Sequence, residues 1–176
     1  MCFLFSIQPQ KGADLVFEVA KQTPEIKYVF YGVVAEEYKE EFLHALEQVN
    51  NVEYYGIFSG IPDEVYNELS KYDVLLFPTK WDIEGVPGIL VEAKIAGISC
   101  VVSSKSYNGE IIRNRIEGIV LENNTAAELA QALRELDKDR TLLGALKENN
   151  AKSSDQYHID NYISGICKML TGGGKK

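Results

Sequence analysis

Two hydrophobic periods alternate along the chain. Short, nearly unbroken apolar runs recur at 2–7, 28–31, 52–55, 74–77, 100–104 and 119–121; each reads as a strand, and the run 74–77, stopped by Pro78, as a fully buried one. Between them, apolar residues return at helical spacing. Leu15, Val16, Val19 and Ala20 follow Asp14, which can cap a helix ended by Pro24. Tyr38, Phe42, Leu46 and Val49 stripe a helix over 36–49, and Val65 and Leu69 one over 62–70. Pro87 takes a first helical position ahead of Ile89, Leu90 and Ala93, and Gly97 ends that helix. Asn108 can cap a short helix through Ile111 and Ile112.

Beyond residue 121 the pattern is helical only. Thr125 and Glu128 have the form of a capping box before Leu129, Leu133 and Leu136, and Leu142, Leu143 and Leu146 mark a further helix. A last helix runs from about Asp155 or Ile159 to Leu170, with Ile159, Tyr162, Ile163, Ile166, Cys167 and Leu170 on the side expected to be buried. Strands alternating with helices predict a doubly wound, Rossmann-like α/β domain. Its sheet is parallel, with about six strands and extra C-terminal helices. Residues 1–170 form one domain and 171–176, ending Gly-Lys-Lys, a loose tail.

In such sheets ligands bind outside the carboxyl ends of the strands. The loops expected there are 6–12, 32–35, 56–61, 78–88 and 103–110. Composition narrows what they can hold. A chain of 176 residues with 45% apolar and 25% charged residues is globular, and a net charge of −8 with no basic stripe excludes a nucleic-acid surface. Cys2, Cys100 and Cys167 lack metal-ligand spacing. Cys100 and Cys167 read as buried thiols of a reducing compartment. No run is long enough to span a membrane, and the N-terminus lacks the basic start of a signal peptide, so a cytoplasmic protein is expected. Neither G-x-G-x-x-G nor a P-loop is present.

The remaining candidate is the unit from 74 to 104. The turn Gly85, Val86, Pro87, Gly88 opens a helix whose first amides lack intrahelical partners, an anion site suited to a diphosphate. Glu92 stands about one turn further in, roughly 6 Å along the axis, where a carboxylate can accept ribose hydroxyls. Glu84, just before the helix, can bind hydroxyls of what the diphosphate carries, and Lys11 can reach the phosphates. These residues describe a nucleotide-diphosphate-sugar site. By spacing alone, two glutamates eight apart are common, Glu84 suits the helix dipole, and Lys11 is a lysine in a turn. Trp81 and Phe58 read as packing residues, and His44 and His158 as structural or solvated.

The stretch Glu84 to Ala93, followed by Ala96 and Gly97, resembles the E-x7-E signature of retaining glycosyltransferases of the GT-B fold, family four. Gln10 to Asp14 resembles that family's "KGvD" segment, Asn51 to Gly56 its "nVeyxG" strand, Phe77 to Thr79 its "fPS/T" strand end, and Tyr107 to Ile112 with Gly118 its "xNxEiI…G" segment. The E-G-x-P-G variety is associated with capsule, O-antigen and exopolysaccharide enzymes.

The resemblance implies the C-terminal, donor-binding half of such an enzyme, a hexosyltransferase acting with retention and without a metal or other cofactor. Glu84 and Lys11 would be catalytic. Glu92 would bind ribose, Gly85, Val86, Pro87, Gly88 and Ile89 the phosphates and sugar, and Gly56, Ile57 and Phe58 the base. A UDP-sugar is the first expectation. The family's usual arginine five residues before the lysine is here Ser6. Nothing precedes the first strand, so the acceptor-binding half is expected in a missing N-terminal domain or a separate subunit, through which the protein would be peripheral to the inner face of the membrane. The isolated chain is then expected to be inactive. The alternative is a non-catalytic partner of another glycosyltransferase.

Overall fold

The computed structural model describes residues 1–4, 6–58, 60–83, 85–158 and 160–172. Six strands form one sheet: β1 (Cys2–Leu4), β2 (Tyr28–Tyr31), β3 (Val52–Tyr54), β4 (Val74–Phe77), β5 (Ser99–Ser103) and β6 (Gly118–Leu121). Their order is β3-β2-β1-β4-β5-β6, and every pairing is parallel. The connecting helices are α1 (Ala13–Gln22), α2 (Lys39–Gln48), α3 (Pro62–Leu69), α4 (Gly88–Ile95) and α5 (Asn108–Ile111). They are followed by α6 (Ala126–Lys138), α7 (Arg140–Lys152) and α8 (Asp160–Gly172). This is the doubly wound arrangement that the hydrophobic pattern predicts.

The unbroken apolar runs are explained by two cores. Successive strand side chains point to opposite faces, so Val74 and Leu76 enter one core while Leu75 and Phe77 enter the other. The first core holds Val16, Phe17, Phe30, Phe42 and Leu133. Phe17, Phe30 and Phe42 form a mutual aromatic cluster with centroids 5.2–5.5 Å apart. The second core holds Val29, Tyr31, Leu90, Ala93 and Cys100, and it seats α4 against β4 and β5.

Several local expectations change. Asp14 lies in the first turn of α1, and the N-cap is Gly12, with φ +84°. Pro87 is the N-cap of α4 rather than its first residue. Asn108 opens α5 but is buried, and its Nδ2 donates back to the Ser103 carbonyl (3.1 Å) and hydroxyl (3.3 Å). Thr125 caps α6 as expected. Its Glu128 carboxylate, however, accepts from the amides of Glu122, Asn123 and Asn124 instead of closing a capping box. The helix expected to bury Tyr162, Ile163, Ile166, Cys167 and Leu170 leaves all of them exposed. Ile159, expected on the same side, lies outside the described residues. Of the expected tail, residues 171 and 172 belong to α8, and residues 173–176 lie outside the described residues.

Glycine is required at position 12 for two reasons: its left-handed backbone, and a close approach in which a methyl group would overlap the Pro78 carbonyl. Gly12→Ala is therefore expected to lower the unfolding free energy by roughly 2–3 kcal/mol in urea titration.

An ion pair is sealed inside the second layer. Lys94 Nζ lies 3.0 Å from Glu117 Oε2, with both side chains essentially inaccessible. The ammonium also donates to Ser153 Oγ (2.8 Å) and sits 5.8 Å from the Tyr157 ring. Glu117 accepts from the Arg113 amide (2.9 Å) and guanidinium (2.7 and 3.0 Å). Burial pushes this carboxyl up, but the hydrogen bonds from Arg113, Lys94 and Ser153 outweigh it and hold it down at about 2. A depressed carboxyl contributes stability above its ordinary value of 4.5, and loses it as pH falls through about 2. The urea midpoint of the wild type should exceed that of Glu117→Gln at neutral pH, with the gap closing as the solution is acidified across that window. A gap unchanged down to pH 2 would contradict the assignment.

Candidate functional site

In a sheet of this order the chain leaves β1 toward one edge and β4 toward the other. A crevice therefore opens between their carboxyl ends. On one side stands the loop after β1, which bridges in parallel to Val34 through Ile7 and contains the 3-10 turn Pro9–Lys11. On the other side stands the loop after β4. Backbone hydrogen bonds fix one against the other: the Lys80 amide donates to the Gln10 carbonyl at 2.9 Å, and Gly12 packs on Pro78. From the turn after β6, Asn124 Nδ2 donates to the carbonyls of Pro78 (3.0 Å) and Thr79 (3.2 Å). The Glu128 carboxylate at the start of α6 holds the Asn124 amide.

Lys11 ends the 3-10 turn, and its Nζ lies 4.8 Å from the centroid of the Trp81 ring, a cation–π geometry. Trp81 is 45% exposed, so the packing role expected of it is not what the structure gives. Its amide is anchored by Thr79 Oγ1 at 3.2 Å. The neighbouring charges are paired, Lys80 with Asp14 (2.6 Å) and Asp82 with Lys105 (2.7 Å). A cavity of about 470 Å³ opens here, lined by Pro9, Gln10, Lys80, Trp81, Asp82 and Ile83.

The exposed turn of Gly85, Val86 and Gly88, around a buried Pro87, leads into α4, whose start carries no side-chain cap. Glu84 lies outside the described residues. Ile89 and Glu92 are half-buried on the first turns of α4. Burial raises the Glu92 carboxyl above its ordinary value, and among the described residues no hydrogen bond or ion pair engages it. A carboxylate desolvated without a partner suits a ligand rather than the fold. Ser6 is exposed and accepts from Gln8 Nε2 at 3.0 Å. The Gly56 loop stands beside the loop after β2, where the Gly32 amide donates to the Gly56 carbonyl (2.8 Å). Ile57 is exposed, and Phe58 meets the Tyr31 ring edge-on, with centroids 6.0 Å apart.

The topology thus brings the Lys11 and Pro78–Ile83 segments into contact and puts the Gly56 loop over β2 and β3. Two contributors escape sequence reading. Trp81 has one signal, its place in a loop at a carboxyl strand end. Asn124 has none, because it acts across the sheet from a residue remote in sequence. Among the described residues no cluster of three or more His, Cys, Asp or Glu is placed to hold a metal ion, and no helix is long and apolar enough to cross a membrane.

A parallel sheet of this order, with its crevice at the switch point, makes the chain a doubly wound α/β domain of the kind found in GT-B glycosyltransferases. Residues 1–153 match the family described as Glycosyl transferases group 1, and the chain belongs to that family.

Similar solved structures include Anabaena HepE in complex with UDP (TM-score 0.85, 16% identity), covering 97% of this chain and 48% of that one. Another is the C-terminal domain of the glycosyl transferase group 1 family protein LpcC from Francisella tularensis (TM-score 0.77, 19% identity), covering 90% and 85%. Among curated relatives, an Escherichia coli UDP-Gal:alpha-D-GlcNAc-diphosphoundecaprenol alpha-1,3-galactosyltransferase is 27% identical over 107 residues, 61% of this chain and 27% of that protein. The uncharacterized glycosyltransferase MJ1178 of Methanocaldococcus jannaschii is 23% identical over 167 residues, 95% and 46% respectively. The chain spans less than half the length of these curated relatives.

The raised Glu92 carboxyl has a measurable cost. Above its folded pKa the group is ionised in both states and only the folded state bears the desolvation. Below the ordinary value of 4.5 it is protonated in both and the cost vanishes. Ligand-free Glu92→Gln should therefore melt higher than wild type at pH 7–8, with the difference fading on acidification toward pH 4. A lower melting point for the variant at pH 7 would mark Glu92 as structural.

Proposed function

We propose that this chain is the sugar-nucleotide-binding half of a retaining glycosyltransferase that builds cell-surface polysaccharide. Its donor is an NDP-hexose, with UDP as the nucleotide. The observation that carries the reading is Glu92: a half-buried carboxylate with no protein partner among the described residues, on a helix that starts uncapped at the switch-point crevice. Glu92 accepts the ribose hydroxyls, the amides at the start of α4 take the diphosphate with the helix dipole behind them, and Lys11 adds a positive charge. The Gly56 loop, with Ile57 and Phe58, borders the base, and Glu84 holds a hydroxyl of the donor sugar.

In the transfer, the bond from the anomeric carbon to the diphosphate breaks. The acceptor hydroxyl adds on the same face and gives up its proton to the departing diphosphate, and the nucleoside diphosphate leaves. Negative charge develops on the departing diphosphate, so Lys11 and the amides stabilise the transition state more than the bound donor. Ser6 brings no second cation to this work. The acceptor is held by a further domain or subunit, without which the chain binds donor and transfers nothing. Two comparisons support a half-enzyme: the chain is covered almost completely by HepE while matching under half of it, and it resembles an excised C-terminal domain over most of both lengths.

Calorimetric titration of the chain with UDP, GDP and ADP tests the reading. One nucleotide should bind, and Glu92→Ala should weaken it by at least about tenfold, roughly 1.4 kcal/mol, while circular dichroism stays unchanged. A folded chain that binds none of the three would overturn the donor site.

A further inference from the structure

We propose that the cavity beside Trp81 is a subsite for a saccharide ring, with the indole as its stacking wall. The inference deepens the donor-site reading, and rests on it for choosing a sugar over other hydroxylated rings. Three observations converge. The indole is nearly half exposed although its backbone is fixed through Thr79, so the ring is held out toward the cavity by the fold. Lys11 occupies one face at 4.8 Å, and the rest of the indole lines a space of about 470 Å³, within the usual range of small-molecule sites.

The wall's polar groups form the third observation. Lys80 and Asp82 are each already neutralised by a partner, Asp14 and Lys105. The cavity thus offers an aromatic surface, an amide at Gln10 and salt-bridged side chains, with no unbalanced charge among these lining residues. That combination suits a neutral ring with an apolar C–H face and a rim of hydroxyls: the C–H edge meets the negative face of the indole, and the hydroxyls meet Gln10 and Asp82. A nucleobase would stack on the same face, and the response to UDP alone separates it from a sugar. The sugar has two possible sources, the glycosyl group of the donor and a residue of the acceptor.

Trp81 is the single tryptophan of the chain, so its emission reports on the cavity directly. The intact chain is titrated with UDP, with UDP-glucose, UDP-galactose and UDP-N-acetylglucosamine, and with the corresponding methyl glycosides, each glycoside alone and in the presence of UDP. A blue shift or quench with a UDP-sugar beyond that with UDP identifies the donor's glycosyl group as the occupant. A change produced by a free glycoside, with no response to the linked sugars beyond that to UDP, identifies an acceptor residue. In either case Trp81→Ala, followed by calorimetry, should weaken the responding saccharide by roughly tenfold, and Trp81→Phe should recover part of the loss.

If UDP binds but no saccharide, free or linked, moves the emission, and Trp81→Ala leaves every affinity unchanged, the subsite is wrong and the donor site stands. If no nucleotide binds, the donor site fails; a glycoside response lost in Trp81→Ala still supports the subsite, and the absence of one overturns it as well.

Discussion

The loop after β1 and the loop after β4 approach so closely that only a glycine fits between them, and the carboxyl edge of the sheet is organised by that contact. Gly12 lies against the Pro78 carbonyl, the Lys80 amide reaches the Gln10 carbonyl, and Asn124 ties down the two carbonyls that follow β4. Apart from the Asn124 side-chain amide, these are interactions of backbone atoms. They fix where Lys11 and Trp81 emerge before any side chain has a choice of rotamer, which accounts for a positive charge and an indole meeting face to face at the crevice. An arrangement set by the main chain tolerates wide change in side chains, in keeping with a fold retained at identities of 16–19%.

Helix α4 shows how the domain divides stability from binding. Its buried side is packed by Leu90 and Ala93 and secured by the sealed pair of Lys94 and Glu117. Its opening turn carries no side-chain cap, and the half-buried carboxylate of Glu92 has no partner among the described residues. A buried ion pair is a poor source of net stability compared with apolar packing, but it is demanding about geometry. Here that demand fixes the helix against the connection before β6 and against the segment after α7, so the groups at its open end are presented from a rigid support.

The sheet was legible because strands such as β2 and β4 are apolar on both faces and the longer connecting helices are striped on one. The runs 28–31 and 74–77 coincide with β2 and β4. What could not be read was anything decided between elements. Asn108 looked like a cap because its type favours caps, yet a buried carbonyl and hydroxyl in β5 compete for its amide and win. Cys167 and its neighbours on α8 have the periodicity of a buried face, and periodicity cannot say whether a partner element is present. At the site, the residues at the crevice follow from the rule that loops gather at carboxyl strand ends. The exposure of Trp81 and the reach of Asn124 depend on distances that no local pattern encodes.

The sealed pair has a consequence for how sequences of this kind can diverge. The dependence is one-sided. A lysine at 94 that loses its glutamate is a lone buried charge, whereas a glutamate at 117 that loses its lysine keeps the Arg113 guanidinium and amide. A lysine at 94 should therefore be inherited only with an acid at 117, in any homologue whose fourth helix is seated in the same way, while the acid is free to persist without the lysine.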